Sequence, residues 1–292
     1  MKKLKGKKKS EAISQVILWI FLGVSLLVFS IPFFMMISNS FETFSFSLPY
    51  PPRVFPESPS LDAYTHIFEL SFFPTAVLNS VLNTGITLVI CIFVSTLSAY
   101  GFARINFPFR ETLFKLYLFT LMVPAFLNII PQFMILQSFT LPGLKNGLIG
   151  TRVGLILVYT ATSIAGHTFF LRGFFKGLPN SLSESVIMDG GGHGTIFFKV
   201  MLPLSKPAIG TMTIFAAQGY WEEYFTARIL VGSNDAMVTL PMLLQRMRFE
   251  NVTRFDWMFA ASIIALIPML VMFIIFQKKL VVGGLTQGAI KE

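Results

Sequence analysis

Apolar residues run along this chain in long stretches that carry no charge, separated by short polar segments. The charge-free stretches cover 12–41, 70–103, 116–144, 153–171, 207–221 and 257–277. A helix that crosses a bilayer needs about 20 mostly apolar residues. The shortest stretch, 207–221, stops at Glu222-Glu223, and helix continued to about Val231 gives it the length to cross. The pattern predicts an all-α, polytopic membrane protein of six transmembrane helices. These lie over about 14–37, 75–103, 116–138, 150–171, 207–231 and 257–277, within one domain over 1–292.

Composition agrees. Apolar types make up 54% of 292 residues and charged ones 13%, with 33 Phe. Soluble domains carry roughly 25% charged residues. That much apolar side chain has no place in an ordinary soluble core, and a disordered chain is excluded by the same numbers. Pro32, Pro124, Pro131 and Pro268 fall within spans, as packing kinks or as kinks lining a path that opens and closes.

The charge is +9, and its placement sets an orientation. The N-terminus, 104–115, 172–206 and the C-terminus carry 16 Lys/Arg and 5 acids; 42–69, 145–152 and 228–256 carry 7 of each. The positive-inside bias puts the first set, both termini included, in the cytoplasm of a multi-pass cell-membrane protein. The surplus charge is topological and calls for membrane lipid, with no nucleic-acid partner. The basic tail 1–11 resembles a signal peptide's start, but the apolar run behind it is too long and no A-x-A site follows, so it reads as a retained anchor.

The cytoplasmic segment 178–206 carries the most specific chemistry. Ser181 and Glu184 fit a capping box at the start of a short helix. Gly190-Gly191-Gly192 stops that helix. A second helix is expected over Thr195 to Leu202, ended by Pro203, with Val186, Ile187, Ile196 and Phe197 free for docking.

The segment resembles the EAA coupling loop of ABC-importer permeases. Glu184-Ser185-Val186 stands at E-A-A, Gly190 follows after three residues, and Val200-Met201-Leu202-Pro203 comes nine residues later; Asp189 and Pro207 also match. Ser185, Val186, Val200 and Gly191-Gly192 depart from the usual residues and leave the spacing intact. N-S-V-L-N-T at 79–84, S-A-Y-G-F-A-R at 98–104, M-V-P at 122–124, G-L-K-N-G at 143–147, W-E-E-Y-F at 221–225 and V-G-G-L-T-Q-G-A-I-K at 282–291 are similar to strings of the carbohydrate-type, MalG-like subfamily.

The resemblance implies a permease that moves a sugar or oligosaccharide-like solute by alternating access. It implies two separate ATPase subunits, a second permease of different sequence and an extracytoplasmic solute-binding protein. The coupling interface would comprise Glu184, Ser185, Asp189, Gly190, Gly191 and Pro203, with Glu184 facing a basic ATPase residue. A simple helix cap at Glu184 and a solvated helix end at Asp189 are the plainer alternatives.

The chain has no G-x-x-x-x-G-K-[ST] loop to cradle a nucleotide. It is thus expected to be a transport subunit that binds no cofactor itself, ATP and Mg belonging to the partner ATPase. Tyr220, Trp221, Glu222, Glu223 and Tyr224 are candidates for the translocation path. The acids either contact solute or binding protein, or form a helix end paired to Arg228; the aromatics either pack on sugar rings or form an interfacial belt. Cys91 reads as a packing residue and His193 as solvated, and the three histidines have no metal-ligand spacing. The alternative is an ion-coupled secondary transporter, which needs buried ionisable groups near the midplane. An embedded enzyme lacks any catalytic constellation.

Overall fold

The computed structural model describes residues 2–43, 54–70, 72–139, 146–249 and 254–289, and the regular elements among them are helical. Residues 143–145 and the last two of the 282–291 string lie outside the described residues. The chain divides into two compact units, Met1–Leu70 with Arg246–Ile264, and Ser71–Gln245 with Ala265–Glu292.

The first unit holds α1 (Lys2–Ser40), α2 (Asp62–Glu69) and the start of the last helix, Phe255–Ala289. Side chains from Trp19 to Phe34 are exposed all round α1, at 70% for Trp19 and 72% for Phe29. A helix apolar on every side belongs in hydrocarbon. The polar end of α1 is tied down: the Ser40 and Tyr64 hydroxyls meet at 2.8 Å. Arg254 pairs with buried Asp256 at 2.5 Å and lies over the Trp257 ring, which stacks on His66.

The second unit is built on α3 (Phe72–Arg104). Asn79, Asn83, Thr87, Cys91 and Ser95 recur every fourth residue and are buried, while Leu78, Leu82, Ile86, Ile90, Phe93 and Leu97 are exposed. The helix is polar inward and apolar outward, the arrangement a bilayer rewards. Next come α4 (Arg110–Phe119) and α5 (Ile129–Ser138), which make the third expected span as a pair bent by 93°. Pro124 is the cause: Val123 before it is forced into extended backbone. Pro131 sits in the first turn of α5, where its missing N–H costs nothing.

The main partner of α3 is α6 (Arg152–Gly177), capped by Thr151, whose hydroxyl accepts from Gly154 N at 3.1 Å. It runs six residues past the expected end at 171. After it come α7 (Ser181–Met188), α8 (His193–Thr195), a π-helical stretch Ile196–Met201 and α9 (Leu202–Leu204). α10 (Lys206–Trp221) and α11 (Phe225–Val231) follow, then α12 (Leu240–Phe249).

The helix expected unbroken over 207–231 is therefore two helices. It breaks at 222–224 because Glu223 turns its carboxylate onto the backbone of the next helix, Thr226 N at 2.7 Å and Ala227 N at 2.9 Å. Four helices have the length and apolarity to cross a membrane singly, and six spans result if each bent pair, 110–138 and 193–221, counts as one.

Candidate coupling loop and candidate path face

The loop after α6 is held by two residues of α3. Arg104, at the end of α3, donates from Nη2 to the carbonyls of Phe175 at 2.6 Å and Leu178 at 2.5 Å, and from Nη1 to Asn180 Oδ1 at 2.5 Å. A helix C-terminus leaves carbonyls without partners, and here a guanidinium from another helix takes them. One turn earlier, Tyr100 OH reaches His193 Nδ1 at 3.1 Å and His193 O at 3.3 Å. Tyr100 packs with Leu171, Phe175, Ile196, Phe197, Met201 and Met212 in a buried cluster.

Within this frame α7 departs from the capping box. Ser181 is the first helical residue, Asn180 is the cap, and no side-chain cap bond forms. The Asn180 oxygen that could cap is occupied by Arg104. Ser185 Oγ returns to Ser181 O at 2.9 Å.

The glycine stop closes as a Schellman motif. Gly191 N bonds Val186 O at 2.8 Å and Gly190 N bonds Ile187 O at 2.9 Å. Gly190 has φ +78°, where a side chain is strained. A Cβ on Gly191 would come within 2.6 Å of Val186 Cγ1.

Glu184, Ser185, Asp189 and Gly190 are thus exposed on one helix-turn unit, while Pro203 is exposed on α9 and does not end the second helix. Of the apolar residues expected to be free, Ile196 and Phe197 are core residues and Val186 packs against them. Ile187 is the exposed one, at 57%, and Met188 beside it is exposed at 86%. With Glu184 they share one face of α7, at i, i+3 and i+4. His193, expected to be solvated, is exposed but bonded to Tyr100.

The path candidates separate into two groups. Tyr220 and Trp221 are buried, where an interfacial belt would leave them exposed. Tyr220 OH contacts Ser163 Oγ at 2.5 Å, its ring stacks on Tyr159, and Trp221 Nε1 donates to Ala265 O at 3.0 Å. Tyr224 is half-buried at the start of α11.

Glu223 is a structural carboxylate, accepting from Tyr159 OH at 2.7 Å as well as from the two N–H groups of α11. The expected pairing with Arg228 does not form: Arg228 Nη1 donates to Gly232 O at 3.3 Å. Glu222 alone of the five is exposed, and Gln218 Nε2 donates to it at 3.3 Å.

This break falls within the length of α6, a helix long and apolar enough to cross a membrane. Tyr159, which holds Glu223, sits seven residues into α6, about 10 Å from its start and about 27 Å from Gly177 at 1.5 Å per residue. Opened backbone at such depth is tolerated only where it is covered by protein or lines water.

Sequence reasoning missed Arg104, Tyr100, Asn79 and Gln218. Arg104 had a signal, being the charge that ends a 33-residue helix. Cys91, read as packing, is buried and bonded to His167 Nδ1 at 3.0 Å.

Residues 92–281 match the model of a family described as the binding-protein-dependent transport system inner membrane component. The chain belongs to that family. It is 33% identical over 216 residues, 73% of its own length and 68% of the other's, to the diacetylchitobiose uptake system permease protein NgcG of Streptomyces coelicolor. It is 33% identical over 237 residues, 81% of its own length and 80% of the other's, to the arabinooligosaccharides transport system permease protein AraQ of Bacillus subtilis.

Similarity to the polygalacturonan/rhamnogalacturonan transport system permease protein YtcP of Bacillus subtilis is 32% over 286 residues, 93% of this chain and 96% of that one. The fold matches a bacterial ABC transporter involved in import of the acidic polysaccharide alginate, with TM-score 0.77 and 21% identity over 92% of this chain and 97% of that one. The protein is a multi-pass permease subunit of a binding-protein-dependent ABC importer, and the ion-coupled alternative falls away.

Proposed function

We propose that this permease imports a sugar or oligosaccharide-like solute by alternating access, driven through the 178–206 loop by a separate ATPase. The observation that carries the coupling role is the exposed Glu184–Ile187–Met188 face of α7. Two bare apolar side chains beside a carboxylate, on a loop away from the bilayer core, are the profile of a surface that docks into a groove.

Closure of two ATPase subunits on ATP would pull α7. The pull passes through Asn180 to Arg104 and through His193 to Tyr100, both on α3, and so reaches the longest helix of the second unit. This chain supplies the lever and one half of the path, and a second permease the other half. ATP and Mg act on the ATPase alone. The termini and the loop lie on the cytoplasmic side, and the break at 222–224 opens toward the binding protein that delivers the solute. To convert a state populated 1:99 into one populated 99:1, ATP binding must favour it by about 5.5 kcal/mol.

The test is co-purification of the tagged chain from its own membrane in mild detergent. An ATPase subunit is expected in the wild type and lost with Glu184→Lys, the variant remaining monodisperse. Absence of any ATPase from a well-folded wild-type preparation overturns the coupling assignment.

A further inference from the structure

One face of α10 stays open from Phe215 to Glu222. Phe215, Gln218, Gly219 and Glu222 are exposed and three or four positions apart, so they share that face. Nothing lies within 4 Å of a Cβ placed on Gly219. The lower part of α10 is unlike it, since Ala208, Gly210, Met212, Thr213 and Ile214 are buried. The open face runs up to the break beside Tyr159, within the length of a candidate span, where a carboxylate and a carboxamide are costly against lipid tails. It therefore meets water or a protein partner rather than lipid.

Glu223 and Arg228, further along the chain, and Arg152 on α6 each have a partner of their own. Glu223 is held by Tyr159 OH, Thr226 N and Ala227 N. Arg228, on α11, gives Nη1 to Gly232 O. Arg152, on α6, gives Nη2 to Asn79 Oδ1 at 2.7 Å. What the face offers a solute is one carboxylate, the carboxamide that touches it at 3.3 Å, a phenyl ring and a bare glycine step.

We propose that Gln218 and Glu222, with Phe215 one turn below, form a saccharide subsite on the path that passes uncharged sugars and disfavours uronate-bearing ones. The Glu222 carboxylate accepts from sugar hydroxyls, and Gln218 both donates and accepts. The Phe215 ring packs on the apolar face of a pyranose. An acidic sugar brings a second carboxylate against Glu222, whose side-chain partner among the described residues is the neutral Gln218 amide, and like charges at close range repel strongly where water is scarce. The inference rests on the saccharide-importer reading and narrows its solute class.

The experiment measures initial ATP-dependent uptake by intact cells carrying the whole importer. The probes are two pools of tritium-labelled di- to tetrasaccharides, one of neutral hexoses and pentoses, one of galacturonate and mannuronate. The same binding protein serves every variant, so changes relative to wild type report the permease.

Wild type is expected to take up the neutral pool and to disfavour the acidic one. Glu222→Gln is expected to cut neutral uptake about tenfold, the loss of one charge-assisted hydrogen bond, and to narrow the preference. Gln218→Ala is expected to slow neutral uptake and leave the preference in place. Co-purification of the ATPase with each variant shows that it is assembled, and Phe215→Ala, on the same open face, gives a further assembled variant that is expected to slow neutral uptake.

Neutral uptake and preference both unchanged in Glu222→Gln overturn the subsite while the saccharide-importer reading stands. Exclusion of both pools by an assembled wild type overturns the saccharide reading itself.

Discussion

Arg104 Nη1 and Asn180 Oδ1 meet at 2.5 Å, 76 positions apart in sequence. The same guanidinium holds the last carbonyls of α6. One side chain thus joins the end of α3, the end of α6 and the start of α7, the three elements through which motion of the loop would enter the helices under the proposed coupling. Rigid transmission needs such a joint, because packed elements switch between discrete arrangements.

Arg104→Ala is therefore expected to uncouple the permease. It removes three charge-assisted hydrogen bonds, each worth about 1.5–3 kcal/mol where desolvated and less where water reaches it. Uptake should fall at least tenfold while ATP hydrolysis by the assembled complex loses its dependence on solute-loaded binding protein. Arg104→Lys should rescue little, since an ammonium cannot span three acceptors in the fork geometry. Full uptake by Arg104→Ala would remove the joint from the mechanism.

The two glycines after α7 fail for different reasons. Gly190→Ala places a Cβ at φ +78° in open surroundings and costs about 1 kcal/mol of backbone strain. Gly191→Val must displace Val186, whose Cγ1 would lie 2.6 Å from the new Cβ, and Val186 packs on the core. The expected order of ATPase retention on a gel-filtration column is wild type, then Gly190→Ala, then Gly191→Val. The reverse order would mean that α7 is not held by this turn.

Much of this architecture was legible in the chain, because bilayer thickness makes length and charge decisive. The stretches 70–103 and 153–171 anticipate α3 and α6 within a few residues at most ends. The glycine stop and the spacing of Glu184 to Gly190 were also legible, since only a left-handed residue closes that helix. What stayed hidden depends on partners distant in sequence. Ser181-x-x-Glu184 has the letters of a capping box, but Arg104 takes the cap oxygen of Asn180. Glu222 and Glu223 look equivalent in sequence, and the bonds of Glu223 to Tyr159, 64 positions away, and to the backbone of α11 tell the structural one from the open one. Trp221 reads as a belt residue until Ala265 O is found against its indole nitrogen.

Glu223 should matter for stability before it matters for transport. Glu223→Ala frees two N–H groups at the start of α11 and the Tyr159 hydroxyl, and loss of a helix cap costs about 0.5–2 kcal/mol. The detergent-solubilised chain is expected to unfold at a lower temperature. Glu223→Gln, which keeps one acceptor, should fall between. A melting temperature unchanged in Glu223→Ala would contradict the capping role.

The far end of α3 carries a second joint, and it can be tested by a pair of near-isosteric changes. Asn79 is buried and uses both ends of its amide: Nδ2 donates to Ala236 O at 2.8 Å and Val238 O at 3.0 Å, and Oδ1 accepts from Arg152 at 2.7 Å. Next to it Ser80 Oγ accepts from Leu240 N at 2.8 Å, so α3 fixes the chain that leads into α12. Asn79→Asp keeps the contact with Arg152 and strengthens it with charge, but sets an acceptor against two carbonyls. Asn79→Leu loses all three bonds and leaves Arg152 without that partner. If the two carbonyl contacts dominate, both variants melt early and to a similar extent, by the equivalent of about 2–4 kcal/mol for two lost hydrogen bonds and their stranded acceptors. If the guanidinium dominates, Asn79→Asp melts near wild type and Asn79→Leu well below it. The two carbonyls, that of Val238 buried, outnumber the single cation, which also keeps partial access to water, so the first result is the expected one.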